Sequence, residues 1–284
     1  MAPSEVSLKT YNAKVRLLRQ AVGAPESDFN FLKKTIEIVN YIEGLEASLN
    51  TKKMYYIAIV SILKDMKGYT KPLKIYRDKM MAYNAKQGEI YDKQELSASE
   101  TGKWLPWDEI LKVRKQAEDD VTDLKTFQSY LLLCIYTYLP PMRLDVGALK
   151  VVNEAPKEPV CNYYVNGKHP EILLTEYKTS TKFGTQHIKI PAELVDIIKL
   201  YLELYEPEFL FENNKSQPMS EALLSKNIID IFKKYTNRAI GVNMLRHAYV
   251  SHHRANDMPA KKSKALAKSM MHSPETSTLY RRIE

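Results

Sequence analysis

The sequence has few of the residues that cross-link a chain or carry it through a membrane. It contains only two cysteines, Cys134 and Cys161, and they form no CxxC pair. Two such cysteines cannot build a disulfide framework, so they fit a reducing compartment and argue against structural zinc. The chain has no run of eighteen apolar residues and no apolar secretory segment near its start. These absences predict a protein that is not secreted and does not span a membrane, and they leave cytoplasm, nucleus or a viral compartment open.

Positive charge exceeds negative charge. The 42 lysines and arginines outnumber the 34 acidic residues and give a net charge of +8. A basic balance favours a polyanionic partner such as nucleic acid. Apolar residues make up 44% of the 284 residues, which is ordinary for a globular chain and favours two domains.

The first part of the chain is predicted to be helical. An apolar stripe at helical spacing consists of Phe31, Leu32, Ile36, Val39 and Ile42. It predicts a helix capped by Ser27 or Asp28. A second helix is predicted to begin at Asn50 and to stop near Gly68, and a third to carry Pro72 in its first turn. A polar stretch then leads to Trp104 and Trp107, and is interpreted as a linker whose tryptophans pack between domains.

The second part mixes helices with a small sheet. A long apolar helix is predicted to stop at Pro140 and Pro141. The segments "EILLTEYKTS" and "QHIKIP" have strand character, and the "TKFGT" between them indicates a glycine-containing turn. Further helices are predicted at "AELVDIIKLYLELY", "SEALLSKNIIDIFKKYT", "GVNMLRHAYVSHHRA" and "KKSKALAKSMM". The expected fold class is mainly α with a small β-sheet (α+β).

Several residues suited to phosphate chemistry follow one another along this second part. In chain order they are Arg143, the hairpin lysines Lys178 and Lys182, Arg246 with His247, His272 and Tyr280. The motifs "LRHAYVSH" and "MMHSPETSTLY" around the last four resemble the tyrosine recombinase family, of the phage-integrase type. The resemblance implies a catalytic domain over 105–284 and, more loosely, a helical core-binding (SAM-like) domain over 1–100.

The resemblance also implies roles for residues. Arg143 and Arg246 match the two arginines of the family and Tyr280 its nucleophile, while His272 matches the histidine-or-tryptophan position. Lys178, in a "KT" pair, matches the hairpin lysine better than Lys182 does, although both stay candidates. Asn243 stands where the family usually has a catalytic histidine.

The chemistry of these residue types agrees with those roles. Two guanidiniums can hold the non-bridging oxygens of a phosphate, because arginine presents a planar fork and stays charged. A tyrosine can attack phosphorus and keep the strand as a 3′-phosphotyrosine ester, and a lysine can protonate the leaving 5′-oxygen. The ester preserves the energy of the broken bond, so rejoining requires no ATP, cofactor or metal.

The implied function is site-specific recombination or integration of double-stranded DNA, as for an enzyme of a mobile element or virus. The implied partners are duplex DNA and further copies of the chain, from dimer to tetramer. Lys52, Lys53, Lys182 and His247 are the predicted DNA contacts, His247 also being suited to brace the site from behind. Phosphate contacts of this kind fix register without reading sequence.

Three departures from the family pattern bear on activity. Asn243 can donate a hydrogen bond to phosphate but cannot accept a proton at neutral pH. The acidic residue expected three positions after Arg143 is Val146, and Asp145 precedes it. The interval from His272 to Tyr280 is one residue shorter than usual.

Two other functions therefore stay open. One is a DNA-binding protein that keeps the fold without the chemistry, and the other is relaxation of supercoils in the manner of a type IB topoisomerase. A metal site at His252 and His253 is disfavoured, because neighbours in a helix point about 100° apart.

Overall fold

The computed structural model describes residues 5–25, 29–254 and 258–283. These residues form two compact units, which meet in sequence at Lys93 and Gln94, and each unit has its own apolar core. Helices dominate, and the strands form one small sheet, so the predicted fold class is confirmed. None of the described helices is long and apolar enough to cross a membrane.

The first unit is built from helices. They are α1 (Glu5–Ala21), a 3₁₀ turn (Asn30–Lys33), α2 (Thr35–Gly44), α3 (Leu49–Leu63) and α4 (Thr70–Lys93). Its core contains several tyrosines, whose hydroxyl groups need partners when they are buried. Glu43 is the partner of two of these hydroxyl groups, because its carboxylate accepts hydrogen bonds from Tyr56 (2.8 Å) and Tyr83 (2.6 Å).

The first predicted helix is in fact divided in two. Lys34, with φ −78° and ψ 61°, separates the 3₁₀ turn from α2. The break shifts the buried face, so that Ile36 is 76% exposed while Ile38 is fully buried. The assignment of Ile36 to the apolar stripe was therefore wrong. The predicted caps, Ser27 and Asp28, lie outside the described residues.

The second predicted helix begins earlier than expected. Ser48 caps α3, since its hydroxyl oxygen accepts a hydrogen bond from the backbone N–H of Thr51 at 3.2 Å. Asn50, the predicted cap, lies inside the helix, which ends at Leu63 and not near Gly68. An asparagine and a serine two residues apart are both good caps, and local sequence does not decide between them.

The second unit contains nine helices among its described residues. They are α5 (Ala98–Thr101), α6 (Trp107–Asp119), α7 (Leu124–Tyr138), α8 (Ser180–Phe183), α9 (Ala192–Tyr205), α10 (Glu221–Thr236), α11 (Val242–His253), α12 (Ala260–Ser269) and α13 (Pro274–Tyr280). The sequence predicts α7 and α9 to α12, whereas it did not predict α5, α6, α8 or α13. Trp104 and Trp107 are buried in the core of this unit, which corrects their assignment to packing between domains.

The sheet of the second unit has four short strands in the order β1-β2-β3-β4. They are β1 (Lys150–Val152), β2 (Tyr163–Val165), β3 (Glu171–Leu174) and β4 (Gln186–Lys189). β1 and β2 are parallel, and the other neighbours are antiparallel. β3 and β4 lie within the predicted strand segments, but β3 ends at Leu174, and the connection contains the short helix α8 where only a glycine-containing turn was predicted. β1 and β2 were missed because three residues are too few to show strand periodicity.

Candidate active site

Arg246 lies in the middle of α11 and is one of the largest fully buried side chains, with 1% of its surface exposed. Its Nη1 donates a hydrogen bond to the carbonyl of Pro141 at 2.7 Å, and its Nη2 donates to Nε2 of His272. Burial lowers the pKa of Arg246, and the neighbouring Tyr280 opposes that shift. A buried guanidinium requires such partners, so Arg246 joins α11 to the Pro140–Pro141 segment and to His272.

Arg143 follows that same proline segment and precedes a 3₁₀ turn at Leu144–Ala148. Its carbonyl accepts a hydrogen bond from the hydroxyl of Tyr136 at 2.7 Å, so the end of α7 fixes its backbone. One of its guanidinium nitrogens, Nη1, is buried and has no hydrogen-bond partner among the described residues. The positive charge of Arg143 also lowers the pKa of Arg246, as expected when two cations lie close to each other.

His272 lies between these arginines and the tyrosine. It is 4% exposed, and burial together with the charges of Arg246 and Arg143 lowers its pKa to about 3. The imidazole is therefore neutral at ordinary pH. Because Nε2 accepts from Arg246, the proton belongs on Nδ1, which is buried without a partner among the described residues.

Three N–H donors of this site are thus buried and have no hydrogen-bond partner among the residues that the structure describes. They are Nη1 of Arg143, Nε of Arg246 and Nδ1 of His272, which we call the donor cluster. Buried donors without acceptors are rare in folded proteins and cost free energy. The oxygens of an anion bound beside these three residues could satisfy these donors, and hydrogen bonds from charged donors to such oxygens are strong. The donor cluster is therefore suited to bind an anion.

Tyr280, the last residue of α13, lies against the donor cluster. The rings of Tyr280 and His272 stack with centroids 4.8 Å apart and planes 14° apart. The guanidinium carbon of Arg246 lies 5.0 Å from the centre of the tyrosine ring. Ser273 caps α13 by accepting a hydrogen bond from the backbone N–H of Thr276 at 3.2 Å, which fixes the start of the short helix. The shortened interval between His272 and Tyr280 is accommodated within this one helix.

His247 is buried behind the tyrosine. Its Nδ1 donates a hydrogen bond to the carbonyl of Tyr280 at 2.7 Å, and its Nε2 lies 3.8 Å from Oε1 of Glu100. Burial, followed by the charge of Arg282, lowers the pKa of His247 to about 4, so the ring is neutral. The structure places this residue against the backbone of Tyr280.

The remaining predicted side chains are exposed. Asn243 lies one turn before Arg246 on α11, while Lys178 and Lys182 lie in the β3–β4 connection. Hydrogen bonds from its own backbone and from Ser273 lower the pKa of Glu275, in the first turn of α13, and the charge of Lys182 lowers it further. Lys182 is therefore within electrostatic reach of the tyrosine helix.

Asp145 stands one residue before the position at which the family pattern has an acidic residue. Val146, which stands at the expected acidic position, is fully buried in the core. Burial raises the pKa of Asp145, and the charge of Arg143 acts in the opposite direction. The acidic group thus lies close to Arg143 although it comes one residue earlier in the sequence.

Asn162 is a residue that the sequence analysis missed. Its Nδ2 donates to the carbonyls of Asp145 (3.2 Å) and Glu176 (2.8 Å), and its Oδ1 accepts from the N–H groups of Thr175 and Glu176 (both 2.9 Å). The side chain joins the turn that follows Arg143 to the segment that precedes the lysines. A single asparagine carries no sequence signal for these distant partners.

The predicted DNA contacts of the first unit lie on α3. Nζ of Lys52 donates to the carbonyl of Glu43 at 2.6 Å, and Nζ of Lys53 donates to Oε1 of Gln87. Both lysines are partly exposed. Their contact with DNA remains a prediction.

No family model and no curated protein matches the chain. The fold is similar to that of the XerH site-specific recombinase bound to its difH substrate, in a pre-cleavage complex. That similarity has a TM-score of 0.56 at 20% identity and covers 90% of this chain and 67% of that chain.

Two further complexes are similar at the same level. XerH in a post-cleavage complex with palindromic difH gives a TM-score of 0.57 at 18% identity, over 96% of this chain and 75% of that one. A lambda integrase dimer bound to a COC′ core site gives 0.55 at 13% identity, over 98% and 72% of the two chains. The resemblance inferred from the motifs is thus confirmed at the level of the fold, and the chain has the fold of the tyrosine recombinases.

Proposed function

We propose that this protein is a site-specific recombinase or integrase that cleaves and rejoins duplex DNA through a 3′-phosphotyrosine intermediate. The observation that carries the proposal is the donor cluster of Arg143, Arg246 and His272 beside Tyr280. Unsatisfied donors next to a nucleophile are the arrangement that phosphoryl transfer requires. The fold similarity to DNA-bound recombinases supports the same conclusion.

In the proposed reaction the donor cluster binds the scissile phosphate. The guanidiniums of Arg143 and Arg246 hold the non-bridging oxygens, on which negative charge increases in the transition state. His272, whose pKa burial and the two arginines lower to about 3, donates its Nδ1–H to the same group. Losing one such preorganised donor typically lowers the rate by about 10²–10³-fold.

Tyr280 then attacks phosphorus. A bond forms between the phenolic oxygen and phosphorus, the bond from phosphorus to the 5′-oxygen breaks, and the departing oxygen takes a proton from Lys178 or Lys182. The reverse attack by a 5′-hydroxyl rejoins the strand and releases the tyrosine. His247 supports this chemistry from behind, by holding the carbonyl of Tyr280.

Asn243 favours a second candidate function. This exposed amide stands on α11 where a proton acceptor for Tyr280 would be expected, and it cannot act as a base. A protein that binds DNA through the donor cluster without cleaving it would have the same structure. A monomer that relaxes supercoils would share the whole chemistry, whereas recombination brings two DNA sites and several copies of the chain together.

The deciding experiment is capture of a covalent adduct. Nicked duplexes with a randomised core, from which the short fragment that carries the new 5′-hydroxyl diffuses away after cleavage, are incubated with the protein, and the DNA that survives denaturation on the protein is sequenced. We expect an adduct that maps to Tyr280 by mass spectrometry. Tyr280→Phe should abolish the adduct while DNA affinity is nearly unchanged, because one hydroxyl contributes little to the interface.

Tyr235→Phe is the matched control, since the Tyr235 hydroxyl bonds to Asp120 outside the donor cluster. It should form the adduct as the wild type does. Tight binding of the selected duplexes without any adduct would establish the DNA-binding alternative. Relaxation of a supercoiled plasmid by isolated monomers, without exchange between two sites, would establish the topoisomerase alternative.

A further inference from the structure

The segment after Tyr280 runs back to the beginning of the second unit. The backbone N–H of Ile283 donates to the carbonyl of Gln94 at 2.8 Å, and Ile283 forms a parallel bridge with Glu95. Arg282, which lies between Tyr280 and Ile283, is almost completely buried although it is a charged residue. Buried arginines are retained where they have specific partners, so the contacts of Arg282 decide what this segment does.

Arg282 binds both the tyrosine helix and an acidic residue. Its Nη1 donates to the carbonyls of Leu279 (2.8 Å) and Arg281 (2.9 Å), which flank Tyr280 in the chain. Its Nη2 donates to Oε1 of Glu100 at 2.8 Å. The guanidinium therefore holds the backbone on both sides of the nucleophile and is itself held by one carboxylate.

Glu100 is fixed independently of Arg282. It belongs to α5, where its Oε2 accepts hydrogen bonds from the backbone N–H (2.9 Å) and the hydroxyl (2.8 Å) of Ser97. Burial would raise the pKa of Glu100, but the hydrogen bonds from Arg282 and Ser97 outweigh it and lower the pKa to about 2. Glu100 is a rigid, ionised anchor in a stretch that the sequence suggests is only a linker.

A second route connects Glu100 to the same backbone. His247, which lies 3.8 Å from the Glu100 carboxylate, donates its Nδ1–H to the carbonyl of Tyr280 at 2.7 Å. Ser251 links the two routes, because its hydroxyl donates to the carbonyl of His247 (2.8 Å) and accepts from the N–H of Arg282 (2.8 Å). The carbonyl of Tyr280 and those of its two neighbours are thus all held by groups that contact Glu100.

We propose that Glu100 is a positioning residue for Tyr280, acting through Arg282 and His247. The inference rests on the proposed function and goes beyond it, since no motif includes Glu100. In-line attack requires the phenolic oxygen to be placed accurately against phosphorus. A displacement of about 1 Å, caused by a change remote from the reacting atoms, can reduce a rate by about 10²-fold.

The first experiment compares two variants of the same small helix on a captured nicked duplex. Glu100→Ala removes the carboxylate that anchors Arg282, whereas Thr101→Val removes only the hydrogen bond from the Thr101 hydroxyl to the carbonyl of Ser97 (3.1 Å) and leaves the side-chain bonds of Glu100 in place. We expect Glu100→Ala to slow single-turnover adduct formation by about 10²-fold with DNA affinity unchanged. Thr101→Val should stay close to the wild-type rate.

A second measurement separates positioning from a general structural role. In a Tyr280→Phe background, hydrogen peroxide serves as an external nucleophile: its oxygen bonds to phosphorus, the 5′-oxygen departs with a proton, and the strand is cut without the tyrosine. This reaction needs the donor cluster but not the placement of residue 280. Adding Glu100→Ala should therefore leave peroxide cleavage unchanged, although it slows tyrosine cleavage.

The outcomes are distinguishable. If Glu100→Ala forms the adduct at the wild-type rate, or slows the tyrosine and peroxide reactions equally, Glu100 is not a positioning residue. If the wild type forms no adduct at Tyr280, the proposed function is wrong and the role of Glu100 is lost with it. Arg282→Lys provides a further check, because the donors of an ammonium share one nitrogen and cannot reproduce contacts made by two separate nitrogens of the guanidinium, so its cleavage defect should resemble that of Glu100→Ala.

Discussion

Arg246 is a cation in an almost fully buried position, and its environment gives it a specific task. Two of its nitrogens bind Pro141 and His272, and its Nε is left without a partner among the described residues. Removing one partner of a buried charge is costly, because the charge is then left buried without compensation. The same residue thus fixes the local fold and presents a donor to the proposed phosphate.

The arginine fork itself can be tested by Arg143→Lys and Arg246→Lys. We expect each variant to lower the adduct-formation rate by about 10²–10³-fold, because an ammonium is a point charge and cannot replace a planar fork of donors. Thermal unfolding, measured in parallel, should show a loss of stability for Arg246→Lys, whose side chain is buried. Near-wild-type cleavage by both folded variants would exclude the proposed role of the two guanidiniums.

Substitution of Asn243 tests whether cleavage can be accelerated. Asn243→His places a group with a pKa near neutrality one turn before Arg246, where it can accept the proton of Tyr280. We expect single-turnover cleavage to be preserved or accelerated, most clearly above about pH 6.5, where the imidazole is neutral. Asn243→Gln, which keeps the amide, is the control. A histidine variant that is slower than the glutamine variant would show that deprotonation of Tyr280 is not limiting.

The two hairpin lysines can be separated by the leaving group. A 5′-bridging phosphorothiolate departs as a stable thiolate and does not need a proton. Lys178→Ala should therefore slow cleavage of the ordinary substrate and have much less effect on the sulfur substrate. If it is equally damaging on both, Lys178 is not the general acid. Lys182, whose charge reaches Glu275 on the tyrosine helix, is then tested in the same way.

At the scale of elements, long helices were accessible from the sequence and short or interrupted ones were not. The apolar stripe of α7 and its proline stop predict that helix correctly. The division at Lys34 was missed because the spacing of Phe31, Leu32 and Ile42 suits a continuous helix equally well. The contacts of Glu100 with Arg282 join residues 182 positions apart, and no local pattern encodes such a pair.

Substitution of Asn162 tests whether this side chain holds together the turn that follows Arg143 and the segment that precedes the lysines. Asn162→Ala leaves the N–H groups of Thr175 and Glu176 and two carbonyls without their partner. We expect the free energy of unfolding to fall by about 1–3 kcal/mol, measured by denaturant titration. Thr175→Val is the matched control, since it removes the 2.6 Å bond from the Thr175 hydroxyl to Cys161 but keeps the link to Asp145.

The variants Asn162→Ala and Thr175→Val should differ in their rates of adduct formation. Asn162→Ala frees the turn after Arg143 and the segment before the lysines, so it should also slow adduct formation. Thr175→Val should lower stability with little effect on the rate. Equal rates for the two variants would mean that Asn162 contributes only to stability.

At the scale of the whole molecule, the decisive property is the excess of positive charge, +8 over 284 residues. The sequence alone predicts a polyanionic partner from this excess, but it cannot say which lysines bind it. Lys52 and Lys53 already donate to Glu43 and Gln87, so contact with phosphate would add to or replace these bonds. Exposed cations of this kind contribute mainly long-range attraction, which salt screens.

This attraction predicts a steep dependence of DNA affinity on salt. Each neutralised phosphate releases counterions, so the logarithm of the association constant should fall with the logarithm of salt concentration by about 0.9 per contact. Lys52→Gln and Lys53→Gln should each reduce that slope by about one contact, uniformly across DNA sequences. Lys112→Gln is the control, because its ammonium is paired with Glu109 at 2.6 Å. Fluorescence anisotropy with a labelled duplex between about 50 and 200 mM salt measures the slopes. If DNA affinity does not change with salt, the net positive charge of the chain does not contribute to DNA binding. If the slope is unchanged in both α3 variants, Lys52 and Lys53 do not contact DNA phosphates.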